Sequence, residues 1–308
     1  MLVPGHYSER LIALPFVGIG LIISSVLGVL CSGNEWLTVA CLIGVTVISS
    51  VLSFGTGLGS PGPVMFVLVA AVSSQLTAPI RSAGLSMSTY NIPMLVAAGA
   101  TLAYVTVLLL SALPVFRNIS VVEDNVPLTF RIKLDAEMTM TTIRVIAGVV
   151  IAVLVSKQLG IHRSYWVIVA TAAILQAGQN RRLTTIRSIQ RVVGTLSGAA
   201  FFELIHLFHP IGIWVLIIIM ILQFATQVVI ARNYAFGLFF VTPLALVNST
   251  IGQMNAVITV RERIIDTLLG AGIALVVFWL EALHRRVAAI ADFGNQEVNV
   301  EKKSAQDE

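Results

Sequence analysis

Apolar residues along this chain fall into long blocks separated by short polar breaks. The blocks lie near 11–31, 36–54, 63–79, 93–114, 145–157, 165–178, 189–207, 212–231, 234–249 and 264–284. Most run about 14 to 22 residues, the length scale of a helix crossing a hydrocarbon core of about 30 Å. A membrane β-barrel would show alternating segments of about 10 residues instead. The pattern predicts an all-α integral membrane protein of about ten transmembrane helices. The longest polar stretch, 115–142, carries Arg117, Glu123, Asp124, Arg131, Lys133, Asp135 and Glu137. It divides the spans four plus six: an N-terminal half over 1–114, a linker over 115–142, a C-terminal half over 143–285 and a polar tail over 286–308. Residues 293–308 of that tail read as disordered.

Composition agrees. The chain is 57% hydrophobic and 11% charged, with a mean hydropathy of +0.93. A soluble domain carries about 25% charged residues to wet its surface, so lipid must solvate much of this one. The sequence pI of 9.3 does not point to nucleic acid, because the basic residues sit in short loops, as insertion topology requires. Loops assigned alternately to two faces leave only Arg81, Lys157, Arg163, Arg261 and Arg263 on one of them. The other fourteen of the 19 basic residues share the second face with both termini. That bias predicts cytoplasmic N- and C-termini. The first ten residues hold one Arg and no small-residue cleavage site, so 11–31 reads as a first span and not a signal peptide. Cys31 and Cys41 read as packed small residues; neither a disulfide framework nor a metal site is expected.

Two short patterns recur in the last six spans. Arg163-Ser-Tyr165 opens the sixth block and Arg232-Asn-Tyr234 the ninth. Arg191-Val-Val-Gly194-Thr195-Leu-Ser-Gly198 opens the seventh, and Arg263-Ile-Ile-Asp266-Thr267-Leu-Leu-Gly270 the tenth. The offsets are nearly equal and the matching arginines fall on opposite faces, which predicts a 3 + 3 inverted repeat, the layout of many secondary transporters. The short sixth and ninth blocks correspond, and the ninth holds Pro243. Paired short or Pro-interrupted segments point to a midplane site, whose polar residues would be Thr171, Gln176, Thr242 and Asn248; two tilted or interfacial helices are the alternative. The first four blocks resemble a reduced copy of the last four, with Arg10 before Trp36 as Arg191 precedes Trp214. On that reading ten spans are twelve less two: either the start is truncated or the protein manages with ten.

The second half, over about 140–285, resembles the fusaric acid resistance protein-like family, which includes aromatic-acid exporters, and is more distantly similar to plant aluminium-activated malate channels. The residues that carry the likeness are Tyr165-Trp166, the basic segment 181–191 running into Arg191, Gly194, Thr195 and Gly198, then Asn233-Tyr234 with Thr242-Pro243, and Arg263, Asp266, Thr267 and Gly270. The resemblance implies a bacterial inner-membrane transporter or permeation domain for small organic anions. Two departures stand out: the linker is short where known exporters insert a large cytoplasmic domain, and two N-terminal helices are missing.

Charges within a bilayer cost several kcal/mol (about 2.5 or more) each, which makes them functional candidates. Arg191 and Arg263 read either as cationic mouths on opposite faces that attract a carboxylate or as boundary arginines snorkelling to headgroups. Asp266 lies within i,i+3 reach of Arg263, as a local structural pair or as a gate charge released when substrate engages the arginine. Glu203, about 18 Å along the helix from Arg191, reads as a proton-coupling group or as an outer-boundary residue in reach of water. Glu203, His206 and His209 share the spacing of a metal-ligand pair, but Pro210 ends the helix and no other ligands converge, so no metal and no cofactor are expected. The basic segment 179–191 reads as an entrance for anionic substrate, as a lipid-binding patch or as plain topological anchoring. Gly55, Gly57 and Gly59 lack the Lys-Ser/Thr of a phosphate loop. No nucleophile–base or paired-carboxylate arrangement occurs, so an enzyme is not expected.

The resulting expectation is a secondary transporter exporting small organic carboxylates, aromatic ones among them, at the expense of the proton gradient. A passive anion channel and a non-transporting membrane scaffold of a larger assembly are the alternatives. The expected partners are the lipid bilayer and a small organic anion, with a homo-oligomer or a periplasmic adaptor protein left open.

Overall fold

The computed structural model describes residues 7–56, 62–77, 88–112, 135–160, 165–176, 181–230, 232–250 and 256–304. Among these residues there are ten helices and no strand: α1 (Tyr7–Leu30), α2 (Glu35–Gly55), α3 (Pro63–Thr77), α4 (Asn91–Ala112), α5 (Ala136–Gln158), α6 (Tyr165–Leu175), α7 (Arg181–Leu207), α8 (Ile213–Val229), α9 (Tyr234–Thr250) and α10 (Ala256–Ser304). Local chemistry sets several of the ends. The Asn34 side-chain oxygen accepts from the backbone N–H groups of Trp36 and Leu37, which caps α2. Beyond α5, Gly160 takes a φ of +62°, a left-handed turn open to glycine.

Each helix coincides with one apolar block, but three are longer than hydropathy indicates. α5 starts at Ala136, α7 at Arg181 and α10 at Ala256, each about one and a half to three turns before its block. Hydropathy marks where a helix becomes apolar, while its backbone hydrogen bonds continue into polar residues. The basic segment 181–191, read as loop, is therefore the opening of α7. At the other end, α10 continues as helix to Ser304, so residues 293–304 are not the disordered tail their polarity predicts. The linker charges Arg117, Glu123, Asp124, Arg131 and Lys133 lie outside the described residues.

Among the described residues, five helices hold segments long and apolar enough to cross a membrane: Ala13–Leu30, Glu35–Gly55, Asn91–Leu109, Ala136–Gln158 and Thr259–Leu283. Pro63–Thr77, Tyr165–Leu175, Ile213–Val229 and Tyr234–Asn248 are apolar but shorter. α1 packs on α3 and α4, and α2 on α3 and α5. One apolar core joins α2, α3, α5, α6 and α10; a second joins α7, α8 and α9. Leu102, Met94, Trp214, Met220 and Phe224 are exposed, whereas Arg144, Arg191, Arg263 and Asp266 are buried with many serines and threonines. A molecule that exposes large apolar side chains and buries charged ones is solvated by lipid.

Candidate functional site

The site lies where α6, α7, α9 and α10 meet. α7 packs on α9, α10 packs on α6, and α7 and α10 pack on each other. Glycines make both outer crossings close. A Cβ on Gly194 would lie 2.7 Å from the Ala235 carbonyl oxygen, and one on Gly198 would lie 2.7 Å from that of Phe239. The second crossing has a clear cause. Pro243 has no N–H, so the Phe239 carbonyl four residues earlier loses its intrahelical donor. Gly198 lets the α7 backbone approach that carbonyl, in the small-residue packing common to membrane helices. On the other pair, a Cβ on Gly270 would lie 2.8 Å from the Val167 carbonyl oxygen. The Thr171 hydroxyl is within hydrogen-bonding distance of the carbonyls of Val167 and Gly270, at 2.9 and 3.2 Å.

These crossings bury Arg191 and Arg263 at a common centre. Arg191 Nη1 donates to Tyr234 Oη at 2.8 Å, and Arg187 lies over the same tyrosine ring at 5.4 Å. The Arg263 guanidinium stacks on Trp166, 3.6 Å from its ring centroid. Arg263 is within electrostatic reach of Arg191, Tyr165, Asp266 and Tyr234. Tyr165 and Tyr234 begin the two short helices at matched places in the sequence patterns, and each lies beside one of the two arginines. Among the described residues Arg263 Nε and Nη1 and Arg191 Nε have no hydrogen-bond partner, although both side chains are buried. Buried, unsatisfied donors on two neighbouring cations are groups whose hydrogen bonding an oxyanion would complete.

The arginines are therefore not two mouths on opposite faces. Arg191 lies ten residues into α7, about 15 Å along its axis, and Arg263 seven residues into α10, about 10 Å. Asp266, also buried, joins them. Thr171 is spent on the α6–α10 crossing. Thr242 is buried against Gly198, its hydroxyl without a partner. Gln176, just past α6, lies against Gly62, and Asn248 is exposed near the end of α9. Glu203 is exposed four residues before the end of α7 and is not part of the cluster. Beside it His206 stacks on Phe202 and lies tilted against His209, with ring centroids 5.8 Å apart in each pair.

Sequence reasoning missed a second charged pair. Buried Arg144 on α5 meets Glu281 of α10 at 3.5 Å and donates to the Leu175 carbonyl at 3.2 Å, capping the end of α6. Arg144 lies at the linker edge, but Glu281 falls inside an apolar block, a signal that was legible.

The fold and this centre define a class: a polytopic helical membrane protein with a buried pair of cations. Residues 149–277 match the family described as fusaric acid resistance protein-like. The chain is 35% identical over 118 residues to the uncharacterized membrane protein YvaC of Bacillus subtilis, covering 38% of this chain and 18% of that protein. It is 26% identical over 147 residues to the uncharacterized protein ORF2 of Neisseria gonorrhoeae, covering 47% and 34% respectively. An uncharacterized protein of Haemophilus influenzae is 29% identical over 115 residues, 36% of this chain and 15% of its own length. The chain thus spans about a third or less of the curated relatives it matches. No solved structure matches it.

Proposed function

We propose that this protein is a secondary transporter of the bacterial inner membrane that exports small organic carboxylates, aromatic ones among them, through the Arg191–Arg263 centre. The single observation that carries this reading is the burial of two mutually repelling arginines with unpartnered N–H donors. A buried cation next to a like charge lowers stability, and a carboxylate bound between the two would neutralise it and satisfy the donors. Trp166, Tyr165 and Tyr234 supply aromatic faces beside the cations, which suits an aryl acid. The family description names resistance to an acid.

The 3 + 3 inverted repeat belongs to the same proposal, with α5–α7 as one unit and α8–α10 as the other. Three correspondences support it: the packing of α7 on α9 with that of α10 on α6, Gly198 with Gly270, and the Arg191–Tyr234 contact with the approach of Arg263 to Tyr165 and Trp166. Ten spans with both termini cytoplasmic, and a carrier mechanism in which the two units exchange conformations, complete the reading. Proton coupling is its finest element, with exposed Glu203 as the candidate.

Purified protein in proteoliposomes tests it. Benzoate-class acids should leave vesicles faster than from protein-free controls, faster still under an opposing proton gradient, and Glu203→Gln should remove the gradient's effect. Efflux indifferent to the protein would overturn the transporter reading. Efflux indifferent to the gradient would remove the proton coupling, and unitary currents in planar bilayers would replace the carrier by a channel.

A further inference from the structure

The arginine centre lies between two longer stripes of buried polar residues, one on α7 and one on α10. On α7, Thr184, Ser188, Arg191 and Thr195 are all buried. At 100° per residue they fall within an arc of about 60° and extend about 17 Å along the helix. On α10, Thr259, Arg263, Asp266 and Thr267 are buried in the same way, and Arg263 and Thr267 match Arg191 and Thr195 in the repeated motif. α7 and α10 pack directly on each other. Neither stripe is the leucine-rich face that would seal two helices permanently.

Hydroxyls on membrane helices often satisfy themselves on a carbonyl of the preceding turn. Ser188 does so on Thr184, and Thr267 on Arg263. The hydroxyls of Thr184 and Thr195 do not: both are buried without a partner among the described residues, on either side of Arg191. Unsatisfied hydroxyls spaced along the line that holds unsatisfied guanidinium donors suit a ligand that moves, one whose oxygens are handed from one donor to the next.

We propose that the α7–α10 seam is the anion pathway, with Thr184 and Ser188 lining the stretch on one side of the arginine centre and Thr195 and Thr259 the stretch on the other. The inference rests on the transport reading and its alternating topology, in which α7 and α10 cross the bilayer in opposite senses. The start of α7 then lies on one side of the membrane and the start of α10 on the other. Structural glue between helices is the competing role for such hydroxyls, and water access separates the two.

Single cysteines at positions 184, 188, 195 and 259, introduced after Cys31 and Cys41 are replaced by alanine, can be probed in oriented membrane vesicles with the charged thiol reagents MTSES (anionic) and MTSET (cationic). Thr184→Cys and Ser188→Cys should react from one side only, Thr195→Cys and Thr259→Cys from the other only. MTSES should react at least tenfold faster than MTSET relative to their rates at an exposed control such as Arg232→Cys. Seam positions unreactive while the control labels, reaction of all four from the same side, or no preference for the anionic reagent would each overturn the pathway. Labelling needs no substrate, so its failure is distinct from a failure of the efflux assay.

Discussion

Replacing Arg263 by glutamine should abolish carboxylate efflux while leaving the protein folded. Removing one partner from a buried, hydrogen-bonded charge pair costs about 2–5 kcal/mol of binding, which lowers occupancy of the site roughly thirty- to several-thousand-fold. Folding should change far less, because two consequences oppose each other. The variant loses the stacking on Trp166 and the attraction of Asp266, but it also loses the repulsion of Arg191 and the cost of unpartnered Nε and Nη1. Arg263→Lys should fall between, since it keeps the charge but not the planar fork that grips two carboxylate oxygens. Efflux rates set beside size-exclusion profiles and melting temperatures check this. A variant that transports normally, or one that fails only because it aggregates, would contradict the role assigned to the arginine.

The second large effect is structural. Gly198→Leu should yield no folded protein, because its Cβ alone would lie 2.7 Å from the Phe239 carbonyl oxygen, 2.8 Å from Thr242 Cβ and 3.2 Å from Pro243 Cδ. The first of these is backbone and cannot rotate aside. Gly198→Ala forces the same two helices apart by less, and overpacking of this kind costs about 1–3 kcal/mol. Gly272→Ala, in α10, meets nothing within 4 Å. It should be neutral or slightly stabilising, because alanine favours helix over glycine by roughly 0.5–1 kcal/mol. The yield of monodisperse protein checks Gly198→Leu, and thermal melts of the two alanine variants in one detergent check the order. If Gly198→Ala melted with Gly272→Ala, α7 and α9 would not cross as closely as described.

The ten helices of the described residues, the all-α class and the family resemblance were legible in the sequence because block lengths and motif order are one-dimensional properties. The meeting of Arg191 and Arg263 was not. They stand 72 residues apart, and hydropathy placed the helix starts at the arginines, which pushed both charges to the membrane edge. The helices start at Arg181 and Ala256, so both charges lie within helices, in from their starts, where the packing of α7 and α10 brings them together. Periodicity held a clue left unused. Thr184, Ser188 and Thr195 share the face of Arg191, whereas Glu203 lies about 120° around the helix from it, consistent with its exposure outside the cluster. The approach of Trp166 to Arg263 had no local signal, because it depends on how α6 and α10 cross.

Equilibrium binding to the purified protein tests the central claim most directly. Radiolabelled benzoate, measured by scintillation proximity in detergent, should bind saturably to the unaltered chain and be displaced by other carboxylates. The Arg191→Gln/Arg263→Gln double variant, folded and monodisperse, should retain no saturable binding. Binding of equal affinity in the double variant would show that the anion is held elsewhere and that the buried arginine pair is not its site.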